Sequence, residues 1–496
     1  MNFENNETYL LVCFLLPLLA VVTNAVIRFP NLRDIVTVVI SLFLFANMLD
    51  VLKIFRSGET IKYNLIEIMP GLSISFSIEP LGMIFALIVS FLWIVSTVYS
   101  IGYMRGNNEK HQGRFFCFFA VAIFAAIGVA FASNLLTLFV FYELMTICTF
   151  PLVTHSGTLE AKKSGRVYLG ILMGTSICFL LPAIILTYVT TGTLEFTQGG
   201  ILAANVGVGL SSLLLFLYIY GIGKAALMPI HKWLPAAMVA PTPVSALLHA
   251  VAVVKAGVFS IVKIIVYIFG VDNLQQLADS NWWSGQWLAW VASFTIIVAS
   301  LVALKQDNLK KMLAYSTVSQ LSYVVLAASI LAPKSITAAA FHIVAHAFGK
   351  ITLFFAAGSI YTTAHKSKIS QMSGIGKQMP ITMIAFSIGA LSMIGIPPAV
   401  GFISKWYMIN GAFDRELYWV IIVVIISTLL NAAYFLPVIY KAFFENERQD
   451  PGVVIERRHG ESSFPIVLAL MITAAATLLL FIYPGVFLEL AKELVN

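Results

Sequence analysis

Gly221-Ile222-Gly223-Lys224-Ala225-Ala226-Leu227-Met228-Pro229 closes an apolar run that begins near Gly209. Proline inside a helix removes a hydrogen bond and clashes with the preceding turn. A lysine beside glycine and proline, at the end of such a run, reads as a helix broken at membrane depth. Irregular backbone is tolerated there only where it is buried in protein or lines a cavity. The theme returns further on, where Gly395, Pro397, Pro398 and Gly401 precede Lys405 in a second apolar run. Two broken helices in corresponding places of two halves point to a transport site. Lys224 also stands close to His231 and Lys232, so snorkelling to the membrane interface is a second destination for its ammonium.

Outward from these breaks the chain stays apolar. Of its 496 residues, 59% are hydrophobic and 11% charged, against about 25% charged in an ordinary soluble domain. Charge this sparse cannot cover a water-facing surface, so lipid covers most of it. Apolar runs begin near Tyr9, Ile35, Met83, Phe115, Leu135, Val167, Gly209, Pro243, Trp287, Lys311, Ile336, Ile381, Tyr418 and Phe464. Each comes near the ~20 residues that cross a bilayer. The fold class is therefore an all-α polytopic membrane protein with about fourteen transmembrane helices. Residues 1–9 are polar and acidic with no positive n-region, so the run after them reads as a first span rather than a cleaved signal.

Several function classes drop out. The net charge of +7 sits in short loops, which fits membrane orientation better than nucleic acid. Gly223-Lys224 fails as a nucleotide loop, because Tyr218 stands where its first glycine belongs and Ala225 where Ser or Thr belongs. Cys13, Cys117, Cys148 and Cys178 lie in or beside apolar runs without a CxxC pair, as small buried hydrophobes do. Alternate loops carry the positive charge, among them Arg28 and Arg33, Arg105 and Lys110, Lys162 and Lys163, Lys305 and Lys310, Lys366 and Lys368, and Arg457 and Arg458. By the positive-inside rule these loops are cytoplasmic, and both termini lie outside. The loop over residues 53–79 is mixed and decides nothing.

Ionisable residues inside spans cost about 2.5–3.5 kcal/mol each on insertion scales and tend to mark ion paths. Glu143 sits in an otherwise apolar run, either as a structural partner of a lysine or as half of a switchable ion pair. His249 and Lys255 share the span after Pro243, about 120° apart on an ideal helix. Lys263 lies nearer the far end of that span and reads as a snorkelling lysine. His342, His346 and Lys350 fall at i, i+4 and i+8, on one face of one helix. Histidine exchanges protons near neutral pH, so this stripe reads as a relay rather than as packing. A chain Glu143–Lys224–Lys255–His346–Lys405 then passes protons as pair strengths alternate. No span pairs cysteine with histidine at soft-metal spacing. No nucleophile–base pair suggests bond-making chemistry, so neither a metal nor another cofactor is expected.

The stretch from Gly223 to Pro229, with Trp233-Leu234-Pro235 and Pro241-Thr242-Pro243-Val244-Ser245-Ala246-Leu247-Leu248-His249, resembles the signature of the antiporter-like subunits. Those subunits occur in Mrp-type cation/proton antiporters and in respiratory complex I. Leu313 to Gln320, His342 to Lys350 and Gly401-Phe402-Ile403-Ser404-Lys405 support the resemblance, which runs from about Phe115 to Lys441. It implies inverted five-helix repeats, with helices 1–3 in residues 1–114, helices 4–8 in 115–270, helices 9–13 in 285–445 and helix 14 in 463–496. Helices 7 and 12 are broken, at Pro229 and at Pro397 and Pro398. Glu143 is then the key carboxylate of helix 5, and Lys224 its partner on helix 7. Lys255 is the central lysine of helix 8, His342 and His346 belong to helix 11, and Lys405 ends the relay on helix 12.

The chain is too short for the large L or A type, and an M-type subunit usually has a carboxylate where Lys405 stands. That leaves an Mrp D-like subunit, with a complex I N-type or hydrogenase-type subunit as the alternative. The implied protein is no enzyme but a secondary transporter subunit in a bacterial or archaeal cell membrane. Its partners would be further membrane subunits (A-, B-, C-, E-, F- and G-type if Mrp), protons, a monovalent cation such as Na⁺, and lipid. A largely structural membrane subunit is the remaining reading.

Overall fold

The computed structural model describes residues 5–69, 71–202, 206–280, 286–446 and 460–495. Helix dominates because an apolar chain in lipid must satisfy its backbone polar groups within each segment. The elements are α1 (Asn5–Val26), α2 (Pro30–Arg56), a hairpin of β1 (Lys62–Met69) and β2 (Leu72–Ser77), α3 (Pro80–Gly106), α4 (Gln112–Phe131) and α5 (Leu135–Val153). Next come α6 (Leu159–Thr191), α7 (Val208–Gly221) and an interrupted α8 (residues 242–269). The second half holds α9 (Trp287–Leu304), α10 (Leu309–Ile330), α11 (Pro333–Ala364), α12 (broken into Pro380–Ile394 and Gly401–Asp414), α13 (Tyr418–Phe444) and α14 (Phe464–Ile482).

Local chemistry sets the ends. Pro30, Pro80, Pro333 and Pro380 open their helices, where a missing N–H costs nothing. Asn134, Thr158 and Asn308 cap α5, α6 and α10 by accepting a hydrogen bond from a first-turn N–H. The Thr158 cap starts α6 at Leu159, about two turns before its apolar run. Lys162, Lys163 and Arg166, expected in a loop, therefore lie on the helix.

Among the described residues, 11 helices are long and apolar enough to cross a membrane unbroken, or 12 with the pair bent by 84° at Gly270. The sequence count of about fourteen apolar runs exceeds this because α7, α8 and α12 are interrupted or bent. After Gly221 the chain turns through a 3₁₀ segment, Gly223–Ala225, and Ala226 has φ 55°. In α12 the break falls at Gly395. α8 is also interrupted, by a π-turn at Leu247–Val251 and at Ala252, a break without a sequence forewarning.

α1 and α2 present apolar side chains outward, among them Leu15, Val22, Leu42 and Phe43, as lipid-facing helices do. α11 is the axis of the bundle, with its most apolar stretch wholly buried. Its 32 residues reach ~48 Å at 1.5 Å per residue, which is longer than the bilayer core. Within the residues 53–79 left open by sequence, Lys62–Met69 and Leu72–Ser77 pair as the antiparallel hairpin, with Gly71 (φ 80°) before the second strand. Asn134 ties the hairpin to α5 through the Ser73 carbonyl at 2.9 Å. Asn6 bonds Glu59, and Glu493 lines a cleft with Lys62. Both described ends of the chain thus share the hairpin face.

Candidate functional site

The break in α7 lays Lys224 against the middle of α5. Its Nζ donates to the Tyr142 carbonyl and to Thr146 Oγ1, each at 2.7 Å. It also lies 3.0 Å from the Tyr142 ring centroid, where the ring quadrupole attracts a cation. Tyr142 returns the contact, its hydroxyl accepting from the Lys224 N–H at 3.1 Å. Gly257 of α8 lets that helix sit directly on the Lys224–Ala225 backbone. Lys224 is wholly buried, so it does not snorkel. Glu143 follows Tyr142 on α5 and acts on Lys224 through space. The two form no ion pair among the described residues, and neither carboxylate oxygen of Glu143 accepts a hydrogen bond there. The Glu143–Lys224 partnership read from sequence is thus one of charge acting across space, with no direct hydrogen bond between the two among the described residues.

α8 and the second half together gather the remaining basic groups into one connected network. Lys255 Nζ bonds His346 Nδ1, and the His346 and His342 rings stack with centroids 6.3 Å apart. His342 bonds Ser404 Oγ at 2.8 Å through Nδ1 and Gln320 Oε1 at 3.1 Å through Nε2. The first half of α12 ends at Ile394, and the last carbonyls of a helix lack intrahelical partners. Those carbonyls hold the network together: Met393 O accepts from Gln320 at 3.1 Å, Asn431 at 3.2 Å and Lys405 at 3.4 Å. Lys405 Nζ also donates to Ile394 O at 2.7 Å and Thr428 Oγ1 at 3.0 Å. The negative end of the helix dipole favours a cation here. Lys350 donates to the Leu313 carbonyl at 3.2 Å and Ser316 Oγ at 2.8 Å. Tyr434 donates to Ser316 at 2.9 Å and contacts Asn431, which closes the loop back to Met393.

A cleft of about 310 Å³ reaches Tyr434 from the face opposite the hairpin, lined by Lys305, Asp307 and Lys441 among others. The hydroxyls of Tyr434 and Ser316 connect this cleft wall to Lys350.

The structure thus joins Lys255, His342, His346, Lys350 and Lys405. Among the described residues no hydrogen bond links Glu143 or Lys224 to that network, although Gly257, two residues from Lys255, packs on the Lys224 backbone. Pro229, Pro397 and Pro398 lie at the two breaks, each with a cis bond before or between them. The backbone of His249 lies on the π-turn of α8, and its side chain is outside the described residues. Among the described residues no three His, Cys, Asp or Glu side chains converge as metal ligands would.

Sequence reasoning passed over several participants. Gln320, Asn431, Tyr434 and the Met393 carbonyl wire the network, and neutral groups give no charge signal. Lys310 was read as a loop lysine; its Nζ is turned inward onto the Ala240 carbonyl at 2.6 Å. Lys263 does not snorkel. It is fully buried and paired with Glu79 at 3.1 Å. The Glu79-Pro80 start of α3 was a readable sign of an acid at a helix mouth.

Gly395 has φ 83°, and a Cβ there would come 2.5 Å from Lys405 Cδ and 3.2 Å from its Nζ. Gly395→Ala should cost about 1–2 kcal/mol of backbone strain and push Lys405 off the Ile394 carbonyl. The expected result is a lower melting temperature of the purified assembly together with slower transport. Unchanged values of both would contradict this account of the break.

The family described as "NADH:quinone oxidoreductase/Mrp antiporter, TM" matches residues 132–431. The family described as "NADH-Ubiquinone oxidoreductase (complex I), chain 5 N-terminus" matches residues 69–116. The chain is similar to NADH-quinone oxidoreductase subunit N of Desulforudis audaxviator, 32% identical over 404 residues, which cover 81% of this chain and 78% of the relative. It is 34% identical over 367 residues to the chloroplastic NAD(P)H-quinone oxidoreductase subunit 5 of Mesostigma viride, covering 71% of this chain and 54% of that longer protein. The chain therefore spans about half the length of that subunit 5 relative.

Two solved structures share the fold. A chain of the membrane-bound sulfane sulfur reductase, an archaeal respiratory membrane complex, superposes with a TM-score of 0.85 at 24% identity, over 98% of this chain and 96% of that one. A chain of the Mrp complex from a Dietzia species gives a TM-score of 0.85 at 22% identity, over 99% and 97%. With the family match spanning residues 132–431, and with it every buried lysine and histidine of the site, the chain belongs to the antiporter-like membrane subunit family shared by NADH:quinone oxidoreductase and the Mrp antiporters.

Proposed function

We propose that this chain conducts protons as one subunit of a multisubunit membrane complex, along Glu143, Lys224, His249, Lys255, His346, His342, Lys350 and Lys405. The observation that carries the reading is the network that joins α8 to the second half. Lys255, His346, His342, Lys350 and Lys405 are buried and connected, and their hydrogen bonds among the described residues run to one another, to hydroxyls, to an amide and to backbone carbonyls. In a low-dielectric interior each added proton repels the next, so the network holds fewer protons than it has sites. A partly filled row of basic sites lets a proton step from one to the next. Glu143 supplies the negative charge that draws a proton onto Lys224, and its loose coordination leaves it free to move.

The complex in this reading is a cation/proton antiporter exchanging protons for a monovalent cation such as Na⁺. Other membrane subunits complete it, of A-, B-, C-, E-, F- and G-type. The face carrying Arg28, Lys305 and Lys441 is cytoplasmic by the positive-inside rule, and both termini lie outside a bacterial or archaeal cell. The identity to a subunit N across 81% of this chain favours a second reading, in which the same relay serves a redox-driven pump and electron transfer lies in other subunits.

The deciding assay is proton movement in membrane vesicles carrying the complete complex, with and without Na⁺ and with and without an electron donor. Lys224→Ala should slow it on the order of 100-fold, as loss of a positioned proton-transfer group does. Dependence on Na⁺ without a donor identifies the antiporter. Dependence on the donor identifies the pump. A wild-type rate in a well-assembled Lys224→Ala complex would refute conduction by this chain.

A further inference from the structure

A second ion pair stands apart from the relay, on the hairpin face. Lys263 lies eight residues beyond Lys255 on α8, about 12 Å further along the axis at 1.5 Å per residue. Its side chain is fully buried, and its Nζ is 3.1 Å from Glu79 Oε2 and 2.6 Å from the Ala132 carbonyl that follows α4. The Phe196 ring centroid lies 4.3 Å from the same ammonium. Glu79 sits just before α3, its side chain 16% exposed. It lines a cleft of about 260 Å³ whose other walls include Lys62, Ser133, Glu195, Tyr267 and Glu493. One partner of the pair thus faces water and the other faces the bundle.

We infer that the Glu79–Lys263 pair is the proton port of the hairpin face, through which the buried relay exchanges protons with the water on that side. The inference rests on the conducting role proposed above. In the outward direction, Lys263 in its neutral form takes up a proton from the relay side and becomes an ammonium held by the Glu79 carboxylate. An N–H bond of Lys263 then breaks as an O–H bond forms on Glu79, which leaves both groups neutral. Glu79 finally releases the proton to cleft water and is a carboxylate again. The reverse sequence carries a proton inward. Burial pushes the Glu79 carboxyl up from its ordinary value, against the smaller opposing pull of Lys263, Ser77 and Lys62. Lys62 from β1, Glu195 from the loop after α6, Tyr267 from α8 and Glu493 near the C-terminus are the titratable groups that share the cleft with it.

The test uses vesicles holding the complete complex, with the pH set independently on each side. Wild type is compared with Glu79→Gln, Lys263→Met, the exchange Glu79→Lys with Lys263→Glu, and Lys224→Ala. Each single variant should slow transport on the order of tenfold or more, by loss of a proton-transfer group, and the exchange should recover part of the rate. In Glu79→Gln the dependence of rate on hairpin-side pH should flatten, while the dependence on the opposite side stays as in wild type. A purely structural pair would lower the amount of complex without changing that profile.

Wild-type rates and profiles in Glu79→Gln, with Lys224→Ala inactive, would overturn the port and leave the relay standing. Wild-type rates in both would overturn the relay itself. Should Glu79→Gln fail to assemble, Gln198→Cys on the exposed rim of the cleft replaces it. A bulky membrane-impermeant thiol reagent should then stop transport when added on the hairpin face. An unchanged rate after full labelling would overturn the port.

Discussion

Glu143→Gln should slow proton transport on the order of 100-fold while the complex assembles at wild-type levels. The substitution keeps shape and removes charge. Neither carboxylate oxygen accepts a hydrogen bond among the described residues, so an amide breaks none there. Burying a neutral amide in place of a carboxylate removes a desolvation cost rather than adding one. What is lost is the field that Glu143 exerts on Lys224. Lys224 itself stays anchored, because its hydrogen bonds run to the Tyr142 carbonyl and the Thr146 hydroxyl rather than to the acid. Co-purification of partner subunits reads assembly, and dye quenching in vesicles reads transport. A fast, well-assembled variant would show that Glu143 is an inert buried acid.

Lys255→Met should have an effect as large, again on the order of 100-fold. Lys255 is fully buried and bonded to His346, and it is the member of the network that α8 of the first half contributes. Methionine fills the stem volume with a flexible apolar chain, so packing around it is largely kept. The His342–His346 stack and the His342 bonds to Ser404 and Gln320 do not involve Lys255 and should survive. Transport would then fail because one site of the row is missing, while the melting temperature moves little.

Much of this was legible in sequence because lipid permits so few solutions. The apolar runs fixed an all-helical bundle, and Gly-Pro clusters beside Lys224 and Lys405 located the breaks in α7 and α12. The i, i+4, i+8 spacing of His342, His346 and Lys350 put them on one buried face of α11. Sequence fell short where the partner is remote or is backbone. Lys263 meets Glu79 across 184 positions, and nothing local distinguishes it from a snorkelling lysine. Lys405 is held by the Met393 and Ile394 carbonyls, which carry no side-chain signature. The hairpin was missed because its alternation lies between two long apolar runs and faces partly to solvent. The basic residues of α6 were placed in a loop because charge masked a capped helix start.

The central claim is that buried lysines carry protons rather than merely fix charge, and Lys255→Arg tests it most directly. Arginine keeps the positive charge and can still bond His346, but it does not give up its proton. In vesicles with the complete complex, the account predicts that Lys255→Arg assembles and yet transports as poorly as Lys255→Met. A Lys255→Arg complex that moves protons at the wild-type rate would contradict it, because a fixed charge would then do all that Lys255 does.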